Sequence, residues 1–339
     1  MTGIEEVARR AGVSTSTASR AINGHKRVSE KTVQLVRQAA MELGYVRSSS
    51  AYTLATGRNR NVGVLLPYVD RWYFGEVLAG VESTLIGAGY DLTLYNLNGG
   101  PDQRGQIFSD FLLRRRVDAM LTIGVKLTDS ELATLKSLEK PVFSIGGPSA
   151  SIDTLRIDDA GAANLATRHL ISLGHCEIAL IAADAVNEGD FHHPSLRKQG
   201  YLGAMEAANL PVHPNWILSS DFSIPGGYDA AKRAMGDPRN TCTAYVAISD
   251  EMAIGAMLAA RDLGLNVPKD ISIVGIDGHS LASFFGLSTV AQNPRGQGQA
   301  ATEALLQILS GTRAPNPVDT IWPIELTIGS STARPSNPL

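Results

Sequence analysis

The chain has 339 residues, 44% hydrophobic and 19% charged, which is enough for two or three compact units and excludes a disordered or fibrous protein. No run of about 18 apolar residues offers a membrane span, and the start, MTGIEEVARRAG, lacks the apolar stretch of a secretory leader, so a cytoplasmic protein is expected. The formal charge of −3 hides a split, since residues 1–60 carry ten Lys and Arg against four Asp and Glu (+6) and residues 61–339 carry twenty against twenty-nine (−9).

A basic head on an acidic body fits a protein whose amino-terminal part alone meets phosphates, although small domains also drift in charge by chance. Ile4, Val7, Ala8 and Ala11 recur at helical spacing, and Gly12 stands where a left-handed cap would end the helix. Ser14 is an N-cap type residue for a second helix, STSTASRAIN. That helix puts Ala18, Ala21 and Ile22 on one side and Thr15, Ser16, Ser19, Arg20 and Asn23 on the other. The second face is a row of short hydrogen-bonding groups plus one arginine, the chemistry that reads base edges in a major groove. Helix, GVS turn and helix together read as a helix-turn-helix. A third helix runs from Ser29 through Val33, Val36, Ala40 and Leu43 to Gly44. The loop GHKRV brings His25, Lys26 and Arg27 to the surface, either to grip phosphates or simply as solvated charges. Residues 47–60, RSSSAYTLATGRNR, read as a linker or as a basic segment that orders on DNA. Its Leu54 either packs on the body or wedges between base pairs from the minor groove.

From Asn61 the period changes. Apolar runs of strand length (VGVLLPYV, DLTLYNL, DAMLTIG, PVFSIGG, LRIDD, EIALIAA, ILSSD, AYVAIS, SIVGIDG) alternate with helical windows at 74–88, 103–114, 129–138, 160–173, 194–209, 226–236 and 251–263. The rhythm predicts an α/β body of two doubly wound parallel-sheet subdomains with a cleft between them, behind a small all-α head. Ligands in such sheets sit beyond the carboxyl ends of the strands.

At full length the sequence resembles the LacI/GalR family of transcription regulators. IEEVARRAGVSTSTASRAING and VSEKTVQLVRQAAMELGY are similar to its DNA-binding head, and SAYTLATGRNRNVGVLLP to its hinge and first body strand. RHLISLGHCEIALI, ISDEMAIGAMLAA and ISIVGIDG resemble its body signatures. The resemblance implies residues 1–46 as head, 47–60 as hinge and 61–339 as a body of the type I periplasmic-binding-protein kind. The body divides into subdomains at about 61–158 with 293–321 and 163–291 with 323–332, with crossovers near Asp158–Ala163, Gln292–Asn293 and Ile321–Pro323. It implies a homodimer, or a dimer of dimers, on a palindromic double-stranded DNA operator, most simply as a repressor. Thr15, Ser16 and Arg20 then face bases, Thr17, Ser19, Asn23 and Arg27 touch phosphates or outer bases, and Leu54 takes the intercalating hinge position.

For the effector, the resemblance places Arg197 and Asp277 in the cleft as opposed donor and acceptor ends. Trp72, Tyr73 and Phe74 follow the first strand where the pocket lies, and Phe222 forms an aromatic wall. His193, Ser249 and Gln292 complete the expected set. A sugar or sugar derivative is the first expectation for the effector; a purine or nucleoside is the alternative. Ser249, Gly146 and the GIDGHS loop depart from residues common in sugar-responsive members. A solute-binding protein with a vestigial head is the other function class considered. No cofactor is implied. The histidines of DFHHP are adjacent and cannot share a metal with good geometry, so no metal site is expected. GQGQAA at 296–301 satisfies a dinucleotide fingerprint only superficially, because the acid that follows, Asp319, sits in a Pro-rich stretch. No Ser-His-Asp set, GxSxG elbow, Walker loop or HExxH appears, so an enzyme is not expected. Cys176 and Cys242 read as core fillers, with neither a disulfide framework nor a CxxC motif.

Overall fold

The structure, a computed structural model, describes residues 3–22, 27–45, 53, 57–98, 100–114, 116–183, 193–314 and 317–336. Asn23, His25, Lys26 and Leu54 lie outside these residues. The chain divides into two compact units, Met1–Asn59 and Arg60–Leu339.

In the first unit, α1 (Ile4–Ala11) stops at Gly12, whose φ of 67° is the left-handed conformation its lack of a side chain permits. The Ser14 hydroxyl accepts from the Thr17 amide at 3.2 Å to open α2 (Thr15–Ile22), and Ser29 accepts from the Thr32 amide at 3.3 Å to open α3 (Glu30–Glu42). Val7, Ala8, Ala18, Ala21, Val36 and Ala39 form the core of this unit. The small residues let three short helices pack closely.

The second unit contains, among the described residues, two six-stranded sheets. The first half supplies β1 (Asn61–Leu66), α4 (Trp72–Gly87), β2 (Asp91–Asn96), α5 (Gly100–Gln106), β3 (Ala119–Ile123), α6 (Asp129–Ser137), β4 (Val142–Ile145) and β5 (Asp153–Arg156). Then come α7 (Asp159–Ser172), β6 (Ile178–Ala183), α8 (His193–Ala207), β7 (Ile217–Ser220), α9 (Ile224–Met235), β8 (Ala244–Ala247) and α10 (Asp250–Asp262). The chain ends with β9 (Ser272–Asp277), α11 (Ala282–Phe285), β10 (Ser288–Ala291), α12 (Pro294–Ser310), β11 (Asp319–Ile321) and β12 (Glu325–Thr327). The first sheet has the order β11-β5-β4-β3-β1-β2 and is parallel throughout; the second has the order β12-β10-β9-β8-β6-β7, with only β12 antiparallel. The chain therefore changes sheets after Arg156, after Ala291 and after Ile321. Burial of β1, β3, β6, β8 and β9 along almost every residue explains their unbroken apolar runs.

Several local expectations need correction. The window 103–114 is not one helix. After α5 the backbone widens into a π-type turn at Ile107–Phe111, which lets Ile107, Phe108 and Leu112 all reach the same core. Asp319 lies in β11, not in a loop, and holds Arg156 at 2.8 Å. Cys242 is buried, but Cys176 is exposed in the turn before β6.

Three helix pairs meet through glycines. A Cβ on Gly298 of α12 would overlap the Val77 carbonyl of α4, and one on Gly80 would overlap the Arg295 carbonyl. Gly227 and Gly255 do the same between α9 and α10, and Gly200 lies against Ala160 between α8 and α7. This explains the false fingerprint: GQGQAA is the packed face of a helix, with no loop to cradle phosphate. Gly298→Ala is expected to cost the chain about 1–3 kcal/mol through overpacking, read as a lower urea midpoint for the second unit; an unchanged midpoint would remove the backbone contact from the account.

Candidate functional site

On α2, Ala18 and Ala21 face the core while Thr15, Ser16 and Arg20 are exposed and Thr17 and Ser19 half-buried. The Ser14 hydroxyl also contacts the hydroxyls of Ser16 at 3.0 Å and Thr17 at 2.8 Å, which fixes the first turn of the helix. Arg27, beyond the second helix, is exposed. The structure thus brings Thr15, Ser16, Thr17, Ser19 and Arg20 onto one helix with short hydroxyls and one guanidinium facing out.

In the second unit, a cavity of about 650 Å³, its mouth included, opens between the two sheets. Tyr73, Phe74 and Gln297 line it from elements packed on the first sheet; His193, Arg197, Phe222, Ser249 and Asp277 line it from the second. Gln292 stands at the sheet change before α12. One path of hydrogen bonds runs through these residues. Tyr73 Oη donates to Gln297 Oε1 (3.4 Å), Gln297 Nε2 to Gln292 Oε1 (3.1 Å), and Gln292 Nε2 to Asp277 Oδ1 (2.7 Å). Arg197 Nη1 then donates to Asp277 Oδ1 (3.4 Å) and Arg197 Nε to Asp159 Oδ1 (2.8 Å), whose other oxygen accepts from His193 Nδ1 (2.9 Å). Arg197 Nη1 also donates to the Ile248 carbonyl. Asp277 itself has φ 136°, a conformation strained for a side-chain-bearing residue and held by this network.

Burial alone would raise Asp159, but the His193 and Arg197 beside it outweigh that and hold its carboxyl down at about 2. Burial also works against the charge on Arg197, and Asp159 and Asp277 more than restore it. Asp277 is pushed up by burial, only partly offset by Arg197 and Gln292. Behind it, Asp250 accepts from the His279 amide (2.7 Å) and from Thr289 Oγ1, and burial followed by the Asp277 charge lifts it to about 7. Glu251, which accepts from the Trp72 amide, is lifted to about 7 by burial and then by Asp277. Burial, with Asp159 and Asp277, keeps the Tyr73 phenol protonated as a donor.

Eight of the nine residues expected in the cleft line this cavity: Tyr73, Phe74, His193, Arg197, Phe222, Ser249, Asp277 and Gln292. Trp72 does not; its ring lies beside the cavity, 4.5 Å from the His279 ring centroid. Ser249 is buried and spends its hydroxyl on the Met252 amide as the cap of α10. Sequence reasoning missed Asp159 and Gln297. Asp159 was legible in principle, as the second acid of an IDD doublet after a strand, where Asp158 takes the capping role by accepting from the Gly161 amide.

A helix-turn-helix unit with a polar exposed face, joined to two parallel sheets around a polar and aromatic cavity, defines a DNA-binding regulator with a body of the solute-binding type. Residues 3–48 match the family described as bacterial regulatory proteins, lacI family, and residues 167–332 match the periplasmic binding protein-like domain. The chain is 34% identical over 330 residues to the HTH-type transcriptional repressor PurR of Serratia proteamaculans (strain 568), covering 95% of each. It superposes on the lac repressor dimer bound to operator and the anti-inducer ONPF with a TM-score of 0.82 at 24% identity, over 98% of this chain and 99% of that one. With the transcriptional regulator CelR–cellobiose complex the TM-score is 0.71 at 26% identity, over 98% and 100%. The chain belongs to the LacI family and is a DNA-binding transcriptional repressor; the family is one of regulators, not enzymes. No helix among the described residues is long and apolar enough to cross a membrane.

The raised Glu251 carboxyl sets a pH dependence with a definite sign. Its folded form prefers the proton, so stability contributed here is present at low pH and lost as pH rises from about 4.5 to about 7. Glu251→Gln is therefore expected to stabilise the chain more at pH 8 than at pH 6, measured as the difference in Tm from the parent; an equal difference at both values would refute the shift.

Proposed function

We propose that the repressor works as a homodimer in the cytoplasm, reading a palindromic operator with residues 1–46 and answering to a small effector in the cavity of residues 61–339. Thr15, Ser16 and Arg20 read bases; Thr17, Ser19, Asn23 and Arg27 hold phosphates or outer bases. Residues 47–60 form the hinge, and Leu54 inserts into the minor groove. The observation that carries the effector reading is the hydrogen-bonded path from Tyr73 to His193, which laces both sheets together across the cavity. A ligand entering there must replace links of that path, and so shifts the angle between the sheets. Such coupling is typically about 1–3 kcal/mol, or five- to 150-fold in operator affinity.

The effector proposed is uncharged. Two carboxylates already engage Arg197, and Arg71, the other guanidinium on the cavity wall, lies over the Tyr68 ring with its charge acting on Glu251. Tyr73, Phe74 and Phe222 offer flat apolar walls, and Asp277, Gln292 and Arg197 offer an acceptor beside donors, a set suited to the edge of a purine-type base. A sugar is the second reading, favoured by the likeness to a regulator solved with cellobiose. The dimer is supported by apolar side chains left open on the second unit: Phe284 is 84% exposed and Ile328 67%.

Arg20→Ala is expected to weaken binding to the specific operator by about 1–3 kcal/mol while leaving non-specific, salt-driven binding nearly intact. Fluorescence anisotropy on specific and scrambled duplexes across a salt series reads both, and equal losses on the two duplexes would overturn the base-reading role. Phe284→Asp is expected to shift sedimentation from dimer to monomer; an unshifted dimer would place the interface elsewhere.

A further inference from the structure

The body is acidic as a whole, with residues 61–339 at −9, yet one edge of its first sheet is basic. β4, β3 and β1 are adjacent and parallel, so all three begin at the same edge. Arg60 precedes β1, Arg114 and Arg116 precede β3, and Lys140 precedes β4. The Arg116 carbonyl accepts from Asn61 Nδ2 at 3.1 Å and the Asp118 amide donates to the Asn61 carbonyl at 2.8 Å, which ties the approach to β3 to the start of β1. Three neighbouring strands span about 10 Å, so the cations share one small surface. Arg114 and Arg116 also share a neighbour on β2: burial raises the Tyr95 phenol, and both guanidiniums pull it back.

Arg60, Arg114 and Arg116 are exposed and Lys140 is half-buried; Arg115 lies outside the described residues. The π-type turn and the short 3-10 turn after it leave the Arg114 guanidinium 4.5 Å from the centroid of the Phe111 ring. Stacking of this kind orients the guanidinium plane and keeps its in-plane donors available. Among the described residues Arg114, Arg116 and Lys140 form no ion pair. The acids of these segments compensate little, since Asp118 is buried and accepts the Arg60 amide at 2.8 Å, which leaves Asp91 and Glu139 exposed. Arg60 is also the residue at which the chain enters the second unit. The basic edge is therefore the one by which the body is joined to the DNA-reading head.

We propose that this edge is a second DNA contact, in which Arg114 and Arg116, aided by Arg60 and Lys140, bind backbone phosphates of the duplex held by the head. Contacts of this class position a protein on DNA without reading its sequence. They also offset the repulsion that a body of −9 otherwise meets at a polyanion. The inference rests on the DNA-binding reading given above and requires no effector.

The probes are a duplex selected by the full chain from a randomised pool and a scrambled duplex of the same length and composition. Fluorescence anisotropy across a salt series reads affinity and its salt slope on each. Arg114→Gln with Arg116→Gln is expected to weaken binding to both duplexes alike, by about tenfold at low salt, and to reduce the slope by about 1.8 for each protomer bound. An unchanged Tm shows that the variant is folded. Arg114→Lys with Arg116→Lys is expected to keep the parent slope, which a purely structural role for the arginines would not allow. Arg233→Gln with Lys269→Gln removes two exposed cations from the half built on the second sheet and is expected to leave the slope unchanged. A parent slope in the double glutamine variant, an equal loss in the Arg233 and Lys269 variant, or a loss confined to the selected duplex overturns the second contact and leaves the head's reading intact. Failure of the parent chain to bind either duplex overturns the DNA reading and this inference with it.

Discussion

The cavity of the second unit depends on one buried cation. Arg197 is 5% exposed and comes from a helix of the second sheet. Taking a guanidinium out of water costs several kcal/mol unless its donors are met, and here Asp159, Asp277 and the Ile248 carbonyl meet them. The two acids come from opposite ends of the chain's passage through the second sheet. Asp159 opens α7 immediately after the chain leaves the first sheet, and Asp277 closes β9 shortly before it returns. The ion cluster therefore pins both sides of the sheet change, and the strained backbone of Asp277 is tolerated because Arg197, Gln292 and the Asp250 amide hold its carboxylate.

Glycine contacts set the distances at which that cluster operates. Gly80 and Gly298 bring α4 and α12 into backbone contact, which carries Tyr73 and Gln297 to within a hydrogen bond of each other at 3.4 Å. Gly200 does the same for α8 against α7, the helices that carry Arg197 and Asp159. Packing of this kind is rigid to within a methyl group. Movement between the sheets is then left to the three connecting segments and to side-chain links across the cavity, where exchange of a hydrogen-bond partner costs little.

The elements with strong periodic or continuous apolar patterns were legible: the three head helices with their Ser14 and Ser29 caps, and the buried strands. The edge strands β11 and β12 were not, because they are three residues long, mostly exposed, and paired with strands more than thirty positions away. The π-type turn at Ile107–Phe111 was hidden because a helix and a widened turn place nearly the same residues inward. At the site, Arg197 in LRKQGY and Asp277 in GIDG were legible through the family resemblance. Asp159 was a weaker signal: its neighbour Asp158 satisfies the capping role, so the second acid of the doublet was left over, with nothing in the pattern to name its partners. Gln297 was masked by the glycines around it, which invite a phosphate loop until the structure shows that Gly298 lies against Val77. Trp72 shows the converse error. Loop position after β1 puts three aromatics near the cavity, but helical geometry turns Tyr73 and Phe74 inward and carries Trp72 round to His279.

The charge inventory of the cavity limits what the body can accept. Asp159, Glu251 and Asp277, with Asp250 behind them, stand against Arg197 and Arg71; His193 is already committed to Asp159, and the Arg71 guanidinium lies over the Tyr68 ring at 4.4 Å. Burial and then the Asp277 charge raise both Asp250 and Glu251 to about 7, which favours the proton on each and relieves part of the excess. At Arg197 an anion would find the guanidinium taken, so there it would have to break an ion pair before making one. An uncharged ring that donates to Asp277 and stacks on Phe222 faces no such competition. It exchanges one hydrogen bond of the path, that of Gln292 to Asp277, for its own. The geometry thus favours a ligand whose binding energy goes into relinking the two sheets at a new spacing, since the ion pairs beneath remain intact in either arrangement.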